Sequence, residues 1–551
     1  MTLLDLFDAR ADASASRPLF VFHDARGALL RALPAPHSTS PELDHGALAT
    51  LSRRLAVGLL SRGISHGDRV ALTIDAPAGD FAPAALSIAA ILACYRLGAT
   101  PAVLNTEVPP TFLDRRLTTL GTHLRLDTAL AKGLLAATAD HDPASLREAL
   151  SATTPSTPTT PAFLQLTSGT SGEPKAAVIS HQNLLASLAA SERAVGIGPS
   201  NPDDVLVGWV PLHHDLGLVR FALTPLFAGT RTHLLPPTIA SLEAWIRLIA
   251  EQSATVTGAP DFAYRLATRI VPARPLPSLR LATNGGEPVR LTTLTHFESR
   301  FGCPGAVRPG YGMAEATLGI TAVRPGDTIT VDERGAVSCG LPLPDVELRI
   351  VPITYAPTAS DTEPPSVQTG ELGQVAIAGP NVFAGYLTPT DAALDRTTFV
   401  GRWHLTGDTG YAADDGRLTV LGRARVMLKR AGAMLAPREL EEVADRSGAP
   451  LGVRFTAAVG IAGPVSDDIA LVAEVRPGLD DAALSTIRQA LDAALRTALG
   501  FSPQRLILAP PGTIPLTHNG KIRHAVLRDL IESIPDPDPS APLENPSGTT
   551  G

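Results

Sequence analysis

Helical and strand patterns alternate along the first part of the chain, and this alternation restricts the fold more than any other feature. Leucines recur at helical spacing between Leu48 and Leu59, and residues 70–74 have the apolar character of a short strand. A long apolar helix pattern leads to a second strand pattern at residues 100–104, and strand–turn–helix patterns recur to about residue 385. Strands that alternate with helices form parallel sheets covered by helices, so the sequence predicts an α/β fold.

A chain of 551 residues exceeds the usual size of one domain, so two or more packed units are expected. Short strand patterns separated by Asp-Gly turns occupy residues 401–423, and a block with its own strand and helix patterns follows. We therefore predict a large N-terminal domain over residues 1–422 and a smaller α+β C-terminal domain over residues 423–533. Residues 534–551 are rich in proline, serine and glycine and are predicted to be a disordered tail.

The charge balance and the cysteine content argue against several functions. The formal net charge is −8, whereas binding to nucleic acid or to an anionic membrane requires a basic surface. The three cysteines, Cys94, Cys303 and Cys339, are far apart and lack the spacing of a metal site, which is typical of a reducing cytoplasm. Acidic residues near Met1 argue against a signal peptide, and the apolar stretch 81–104 is interrupted by prolines and an arginine, which argues against a membrane span. We therefore expect a cytoplasmic protein that binds no nucleic acid.

Lysine is rare, and its few positions are informative. Lysine and arginine together number 46, but only four are lysines, namely Lys132, Lys175, Lys429 and Lys521. A bias in codon usage accounts for most of the replacement of lysine by arginine. Arginine cannot replace lysine where a compact ammonium group must reach one particular oxygen, so the remaining lysines are candidates for such a role. Three of the four lie within the motifs described next.

The strongest local motif is an apolar strand pattern that ends in a loop of hydroxyl residues and glycines and is closed by a lysine. Backbone N–H groups, hydroxyls or the ammonium group could hold an anion at Thr167, Ser168, Gly169, Thr170, Ser171, Gly172 and Lys175. The spacing differs from that of a Walker A loop, and the sequence pattern of a nucleophile elbow does not occur here. Composition alone leaves a surface loop of turn-forming residues equally open.

This loop resembles the phosphate-binding signature of the adenylate-forming superfamily, which includes acyl-CoA synthetases, fatty acyl-AMP ligases, luciferases and the adenylation domains of peptide synthetases. Further segments resemble motifs of that superfamily and occur in its order, at residues 210–218, 284–288, 309–315, 406–408, 422–423 and 515–523. The resemblance runs from about residue 48 to residue 530 and is closest to fatty acyl-AMP ligases. It implies a large N-terminal domain of packed α/β subdomains with a small barrel-like β subdomain, and a small mobile α+β C-terminal domain.

The resemblance also implies roles for individual residues. His214 would border the acyl pocket, and Lys521 would be the catalytic lysine. Glu315, together with Thr167, would bind Mg²⁺. Asp408 and Arg423 would hold the ribose of ATP, and the adenine would lie against residues of two motifs, namely Gly286, Glu287, Pro288, Tyr311, Gly312 and Met313. Each of these polar residues also has an ordinary interpretation. His214 could be a loop histidine and Glu315 an acid at a helix N-terminus, while Asp408 could be a turn residue and Lys521 a solvated lysine.

The implied reaction joins two anions, because a substrate carboxylate attacks the α-phosphorus of ATP. The barrier falls when charge is neutralised and the attack is in line. The resemblance implies that the loop at residues 167–175 holds the leaving β- and γ-phosphates and that Mg²⁺ spreads the developing charge. Lys521 can contact both the attacking carboxylate and the α-phosphate, and its place on a mobile domain makes catalysis depend on domain closure.

Several departures from the superfamily pattern concern the second half-reaction. Fatty acyl-AMP ligases typically carry an extra segment that opposes thioester formation, whereas the corresponding interval here, residues 319–337, is short. Lys429 is kept as in CoA-type ligases, but Arg425 and Val426 replace the usual hinge of Asp or Lys followed by Asp. The acceptor is therefore CoA, the phosphopantetheine thiol of an acyl carrier protein, or neither, and we favour the carrier thiol.

The nature of the acid and the possibility of lost activity depend on two further features. The segment 213–215 replaces the Phe-Asp start of members that activate α-amino acids, which favours an acyl chain or a simple organic acid. The alternative is a degenerate, non-catalytic homologue that binds nucleotide or docks a carrier protein. The altered hinge and the alanine after Lys175 motivate it. Retention of four charged residues favours the enzyme, namely Lys521, Glu315, Asp408 and Arg423.

Overall fold

The computed structural model describes residues 1–33, 40–75, 81–168, 174–333, 335–358, 360–388, 394–430, 433–461, 468–516 and 522–533. Helices and strands alternate through much of this part of the chain, so the α/β fold predicted from the sequence is confirmed. None of the described helices combines the length and the apolar character that crossing a bilayer requires.

The first region contains a small parallel sheet covered by helices. Its elements are α1 (Leu3–Ala13), β1 (Pro18–Phe22), β2 (Glu42–Asp44), α2 (His45–Leu60), β3 (Arg69–Thr73), α3 (Pro83–Leu97), β4 (Thr100–Val103), α4 (Pro110–Leu120), β5 (Leu124–Asp127), α5 (Thr128–Ala137) and α6 (Pro143–Ala149). Strands β4, β3 and β5 pair in parallel in that order. Asp44 and Asp127 accept backbone N–H groups at the starts of α2 and α5, so each helix begins directly after its strand.

The apolar stretch at residues 81–104 is the buried centre of this region. Helix α3 begins with Pro83 and ends before Gly98, whose φ of +64° terminates the helix. Every residue from 85 to 97 is buried, including Arg96, whose guanidinium makes two 2.7 Å hydrogen bonds to Asp8. The prediction of a buried helix followed by a strand is therefore confirmed.

A long mixed sheet forms the middle of the chain. Its region contains β6 (Pro161–Ser168), β7 (Pro174–Ser180), α7 (His181–Val195), β8 (Val205–Gly208), a π-helix (Leu216–Leu223), α8 (Thr224–Ala228), β9 (Arg231–Leu234), α9 (Leu242–Glu251), β10 (Val256–Ala259), α10 (Asp261–Ile270), β11 (Leu281–Asn284), α11 (Leu291–Phe301), β12 (Val307–Met313), β13 (Leu318–Ala322) and β14 (Leu341–Pro342). The strand order is β14-β13-β12-β11-β10-β8-β9-β1-β2, parallel from β12 to β1 and antiparallel at both edges. Strands β6 and β7 form a separate antiparallel hairpin.

The antiparallel sheet that follows corresponds to the expected β subdomain. It consists of β15 (Glu347–Val351), β16 (Gly373–Ala378), β17 (Phe399–Val400), β18 (Trp403–Ala412) and β19 (Leu418–Arg423). Strands β18 and β19 pair along their length, which places Asp408 opposite Arg423. A short 3₁₀ turn, Ala424–Val426, leads out of this sheet.

The last described elements form a smaller α+β unit, here called the C-terminal unit (residues 428–532). It contains β20 (Leu428–Arg430), β21 (Ala433–Leu435), α12 (Pro437–Gly448), β22 (Val453–Ile461), β23 (Asp468–Val475), α13 (Asp481–Leu499), β24 (Arg505–Ala509) and α14 (His524–Glu532). Strand β23 pairs antiparallel with β22 and parallel with β24. The unit has its own apolar core, which includes Leu440, Ile469, Leu471 and Leu491.

Candidate active site

Several of the predicted site residues lie at the carboxyl ends of the parallel strands. Strand β8 leads to the segment with His214, β11 leads to Gly286, and β12 leads to Glu315. Ligands of open parallel sheets bind at this edge, because the loops that leave the strands converge there. The fold therefore gathers at one edge motifs that lie far apart in the chain.

Asp408 is the centre of a hydrogen-bonded corner between the mixed sheet and the β subdomain. The Tyr311 hydroxyl donates to Asp408 Oδ2 at 2.5 Å, and Arg423 Nε donates to Asp408 Oδ1 at 2.8 Å. The Asp408 carboxylate raises the pKa of Arg423, whereas burial together with Asp408 raises the pKa of Tyr311 well above its usual value. The corner therefore holds a carboxylate beside a permanent cation, and a carboxylate in such a pair is a strong acceptor for hydroxyl groups.

Glu315 is a buried carboxylate in the 3₁₀ turn Ala314–Ala316, directly after β12. Its Oε1 accepts a hydrogen bond from the Tyr386 hydroxyl at 2.7 Å, and burial raises its pKa. Glu315 is only 6% exposed and has no ion-pair partner among the residues that the structure describes. The Arg423 guanidinium attracts this carboxylate without forming an ion pair with it. A buried carboxylate of this kind suits Mg²⁺, which binds through one or two carboxylates together with substrate phosphates.

Tyr386 connects this carboxylate with the lysine of the predicted phosphate loop. The Lys175 ammonium lies 4.7 Å from the centroid of the Tyr386 ring and 3.4 Å from Asp395 Oδ2. Lys175 is also the partner of Thr167 across the β6–β7 hairpin, so these two residues stand on opposite sides of the loop that the hairpin carries. Ser168 is the last residue of β6. The rest of the predicted loop, Gly169, Thr170, Ser171 and Gly172, lies outside the described residues.

Sequence reasoning did not identify Tyr386. It belongs to no motif that carries the resemblance, and its contact with Glu315 joins residues that are 71 positions apart. The chain contains only six tyrosines. The rarity that drew attention to the lysines could therefore have drawn attention to this residue.

Residues 284–288 form a tight loop at the end of β11. Gly286 has a φ of +83°, a conformation that favours glycine, and it lies exposed at the rim together with Pro288. The Glu287 carboxylate accepts the backbone N–H of Phe262 at 2.5 Å, which ties the loop to the start of α10. On the neighbouring strand, a Cβ at Gly312 would lie 1.7 Å from the Leu318 carbonyl oxygen, so no side chain fits there, and Met313 is buried in the core. Both of these residues therefore have a structural role in β12.

The histidine segment lies between the β6–β7 hairpin and the π-helix. The Gln165 side-chain amide donates to the His213 carbonyl at 2.8 Å, and the His213 and His214 rings are 4.8 Å apart. The His214 carbonyl accepts the Leu218 N–H at 2.8 Å, which starts the helical turns of the π-helix. π-Helical turns occur frequently at functional sites.

A cavity of about 1,400 Å³ opens beside these residues, with both His214 and Gly286 in its wall. Most of the wall is apolar and includes Phe22, Phe81, Trp209, Leu216, Leu234 and Phe262. The C-terminal unit contributes Phe455, Pro511 and Leu516 to the same cavity. Lys521 lies outside the described residues, and Leu516, five positions before it, lies in the cavity wall.

The fold and the site together define an adenylate-forming enzyme, and comparisons with known proteins agree. Residues 30–387 match the family model of AMP-binding enzymes. The putative ligase Rv1013 of Mycobacterium tuberculosis is 30% identical over 399 residues, which cover 66% of this chain and 70% of that protein. The long-chain-fatty-acid–AMP ligase FadD26 of Mycobacterium marinum is 28% identical over 414 residues, which cover 68% of this chain and 70% of that protein.

Solved structures give the same result. A structure from a study of fatty acyl-adenylate ligases of E. coli and L. pneumophila aligns with a TM-score of 0.74 at 25% identity and covers 96% of this chain and 97% of that chain. ATP-bound MatB from Rhodopseudomonas palustris, at 23% identity and a TM-score of 0.74, shares the fold over 97% of this chain and 99% of that chain. The chain belongs to the AMP-binding enzyme family.

The protein is an AMP-forming acid ligase, which activates a carboxylic acid with ATP as an acyl adenylate and releases pyrophosphate. The alternative of a degenerate homologue is not favoured, because the relatives are ligases. The alanine after Lys175, one of the two observations that motivated this alternative, also has a structural explanation. Ala176 and Ala177, which follow Lys175, are fully buried in β7, where alanine fits the packing of the strand.

Proposed function

We propose that the protein activates a fatty acid, or another apolar acid that is not an amino acid, and transfers the acyl group to a thiol. The observation that carries the choice of acid is the large apolar cavity with His214 in its wall, because pockets of this kind bury apolar ligands. Relatives named as fatty-acid ligases support the same class. In this proposal His214 forms the part of the wall next to the substrate carboxylate.

The nucleotide occupies the edge of the sheet in this proposal. The ribose hydroxyls donate to Asp408, beside Arg423, and the adenine lies against Tyr311, Gly312 and Met313 on one side and residues 286–288 on the other. Thr167, Lys175 and the loop at residues 168–172 hold the β- and γ-phosphates. The buried corner around Asp408 and the short path from Lys175 to Glu315 through Tyr386 support this arrangement.

Glu315 is the proposed ligand of Mg²⁺, with Thr167 as a second oxygen donor. When bound, the ion would neutralise charge on the phosphate oxygens. Tyr386 holds the Glu315 carboxylate in a fixed orientation through its hydroxyl, and burial restricts the access of water to that carboxylate. Both effects keep the carboxylate ready for a cation without reorganisation.

Lys521 is the proposed catalytic residue, and it contacts the substrate carboxylate and the α-phosphate when the C-terminal domain closes. We assign the N-terminal domain to residues 1–422 and the C-terminal domain to residues 423–533, and the tail predicted at residues 534–551 lies outside the described residues. The proposed acceptor is the phosphopantetheine thiol of an acyl carrier protein, with CoA as the alternative. The three free, buried cysteines support a cytoplasmic location.

Isotope exchange between ATP and pyrophosphate tests the acid class, with a series from acetate to palmitate, benzoate and phenylalanine as substrates. The expected result is exchange that increases with the length of the alkyl chain. Strongest exchange with phenylalanine, or no exchange with any acid in a folded protein, would contradict the proposal. Mass spectrometry of the product formed with either CoA or a phosphopantetheinylated carrier protein then identifies the acceptor.

A further inference from the structure

Helix α12 of the C-terminal unit contacts the two residues that directly follow the loop at residues 284–288. This loop is here called the adenine-side loop, because the proposed function places the adenine against it. Arg438 Nη2 donates to the Val289 carbonyl oxygen at 2.6 Å, and Arg290 Nη1 forms an ion pair with Asp445 Oδ2 at 3.0 Å. Val289 and Arg290 come immediately after Pro288, the last residue of the loop. The C-terminal unit therefore contacts the segment directly next to this loop, which the proposed function places on the adenine side of the site.

The side chains of α12 that make these contacts also form hydrogen bonds within the C-terminal unit. Arg438 Nε donates to Glu442 Oε1 at 2.7 Å, one helical turn away, and the side chains of this pair are 9% and 11% exposed. Asp445 Oδ1 accepts the Thr456 hydroxyl at 2.8 Å. Arg438 and Asp445 are therefore restricted in orientation before they contact the loop, and little side-chain entropy is lost in the contact.

Electrostatics across this interface favour the same arrangement. The Arg290–Asp445 pair is less than one quarter exposed on both sides, so solvent screens it less than a surface pair. Arg265 and Arg269 of α10 also attract the Asp445 carboxylate. Removing the charge of Asp445 would therefore weaken two attractions across the interface, namely that with Arg290 and that with the two arginines of α10.

In the orientation that these contacts hold, described residues of the C-terminal unit face the cavity. Phe455, Pro511 and Leu516 of the C-terminal unit lie in the cavity wall together with His214. Separation of α12 from residues 289–290 would remove these polar contacts and leave the covalent link at residues 424–427, together with the apolar contacts of Met427 and Ala436 with Ala336 and Leu421, to hold the unit. A contact that resists this separation therefore favours the orientation required for the first half-reaction.

We propose that the contacts of Val289 and Arg290 with Arg438 and Asp445, here called the α12 clasp, fix the C-terminal unit in the adenylating orientation. Arg290, Arg438 and Asp445 are positioning residues that link this orientation to the adenine-side loop. The clasp must open before the unit can adopt another orientation for thiol transfer. This inference rests on the proposed function, because it assigns the clasp to one of the two half-reactions.

The test compares the two half-reactions in Asp445→Asn and Arg290→Gln. Exchange of pyrophosphate with ATP is expected to slow by about tenfold in each variant, which corresponds to about 1.4 kcal/mol. Transfer to a thiol from a supplied acyl adenylate is expected to keep its rate or become faster. Arg496→Gln is the matched control, because Arg496 forms an exposed ion pair with Asp492 on α13 of the same unit.

A double-mutant cycle separates the clasp from general destabilisation. If Arg290 and Asp445 act as one pair, the double variant exchanges pyrophosphate no more slowly than either single variant. Equal slowing of both half-reactions, or unchanged exchange in both single variants, would overturn the proposal. Failure of the wild-type protein to catalyse exchange with any acid would instead count against the proposed function.

A distance measurement tests the clasp without any activity. Spin labels on Thr295→Cys of α11 and Thr497→Cys of α13 report the separation between the N-terminal part and the C-terminal unit, since both threonines are exposed and the native cysteines are all buried. The expected result is one narrow distance distribution in the labelled protein and a broader one when Asp445→Asn is added. Identical distributions would show that the clasp does not hold the unit, even if Asp445→Asn lowers the melting temperature.

Discussion

Replacing Tyr386 with phenylalanine removes one hydroxyl and leaves the aromatic ring beside Lys175. The lost hydrogen bond joins the Tyr386 hydroxyl to the buried Glu315 carboxylate at 2.7 Å. Hydrogen bonds to charged groups contribute about 1.5–3 kcal/mol. If all of this free energy serves to orient the carboxylate for Mg²⁺, kcat/KM for adenylate formation falls by about 10- to 150-fold.

The same substitution has a predictable effect on pH dependence. Burial raises the pKa of Glu315, and the hydrogen bond from Tyr386 partly opposes that rise. Loss of the bond therefore raises this pKa further. Activity that requires ionised Glu315 disappears as the pH falls through the pKa of the folded protein, so the acidic limb of the rate profile should move to higher pH.

The assay is isotope exchange between ATP and pyrophosphate at limiting and saturating Mg²⁺ over a range of pH. Tyr355→Phe is the matched control, because its hydroxyl donates to Asp361 at 2.8 Å on a loop outside the site. The reasoning fails if Tyr386→Phe keeps both the wild-type rate at limiting Mg²⁺ and the wild-type acidic limb while its thermal unfolding is unchanged.

Three further substitutions test other parts of the site and the fold. Asp408→Asn should raise KM for ATP by about tenfold or more, because the ribose acceptor loses its charge and Arg423 loses its ion pair; an unchanged KM would contradict the ribose role. Lys521→Ala should slow pyrophosphate exchange on the order of 10²- to 10³-fold and spare thiol transfer from a supplied acyl adenylate, whereas equal losses would argue for a purely structural residue. Arg220→Met should raise the calorimetric unfolding temperature, because Arg220 is 6% exposed and its one hydrogen bond in the described chain is to Ser191 at 3.3 Å. A buried guanidinium without an ion pair carries a desolvation cost that an apolar side chain of similar length avoids, and a lower unfolding temperature would refute this explanation.

Much of the fold was predictable because its signals are local. The strands expected at residues 70–74 and 100–104 are Arg69–Thr73 and Thr100–Val103, and the helix pattern near the end of the chain is α13. Hydrophobic periodicity and capping residues act within a few positions, so a single sequence carries them.

Parts of the site were not predictable because they depend on residues that only folding brings together. The hydroxyl of Tyr311 reaches Asp408 across 97 positions, and Tyr386 reaches Glu315 across 71. The ion pair between Arg290 and Asp445 joins two units that have separate cores. No local periodicity records such a contact, since each partner alone is an ordinary polar residue.

The sequence by itself therefore determined the α/β class, the order of the motifs and the chemical types of the groups needed to activate an acid with ATP. The tertiary structure decided which of those groups meet and in what electrostatic surroundings they lie. It gave Glu315 a hydroxyl donor, Asp408 a second partner and α12 a contact with Val289, directly after the loop at residues 284–288. The physical reason is that the burial and pairing of a charge depend on distant segments, whereas the tendency to form a helix, strand or turn depends on neighbours in the chain.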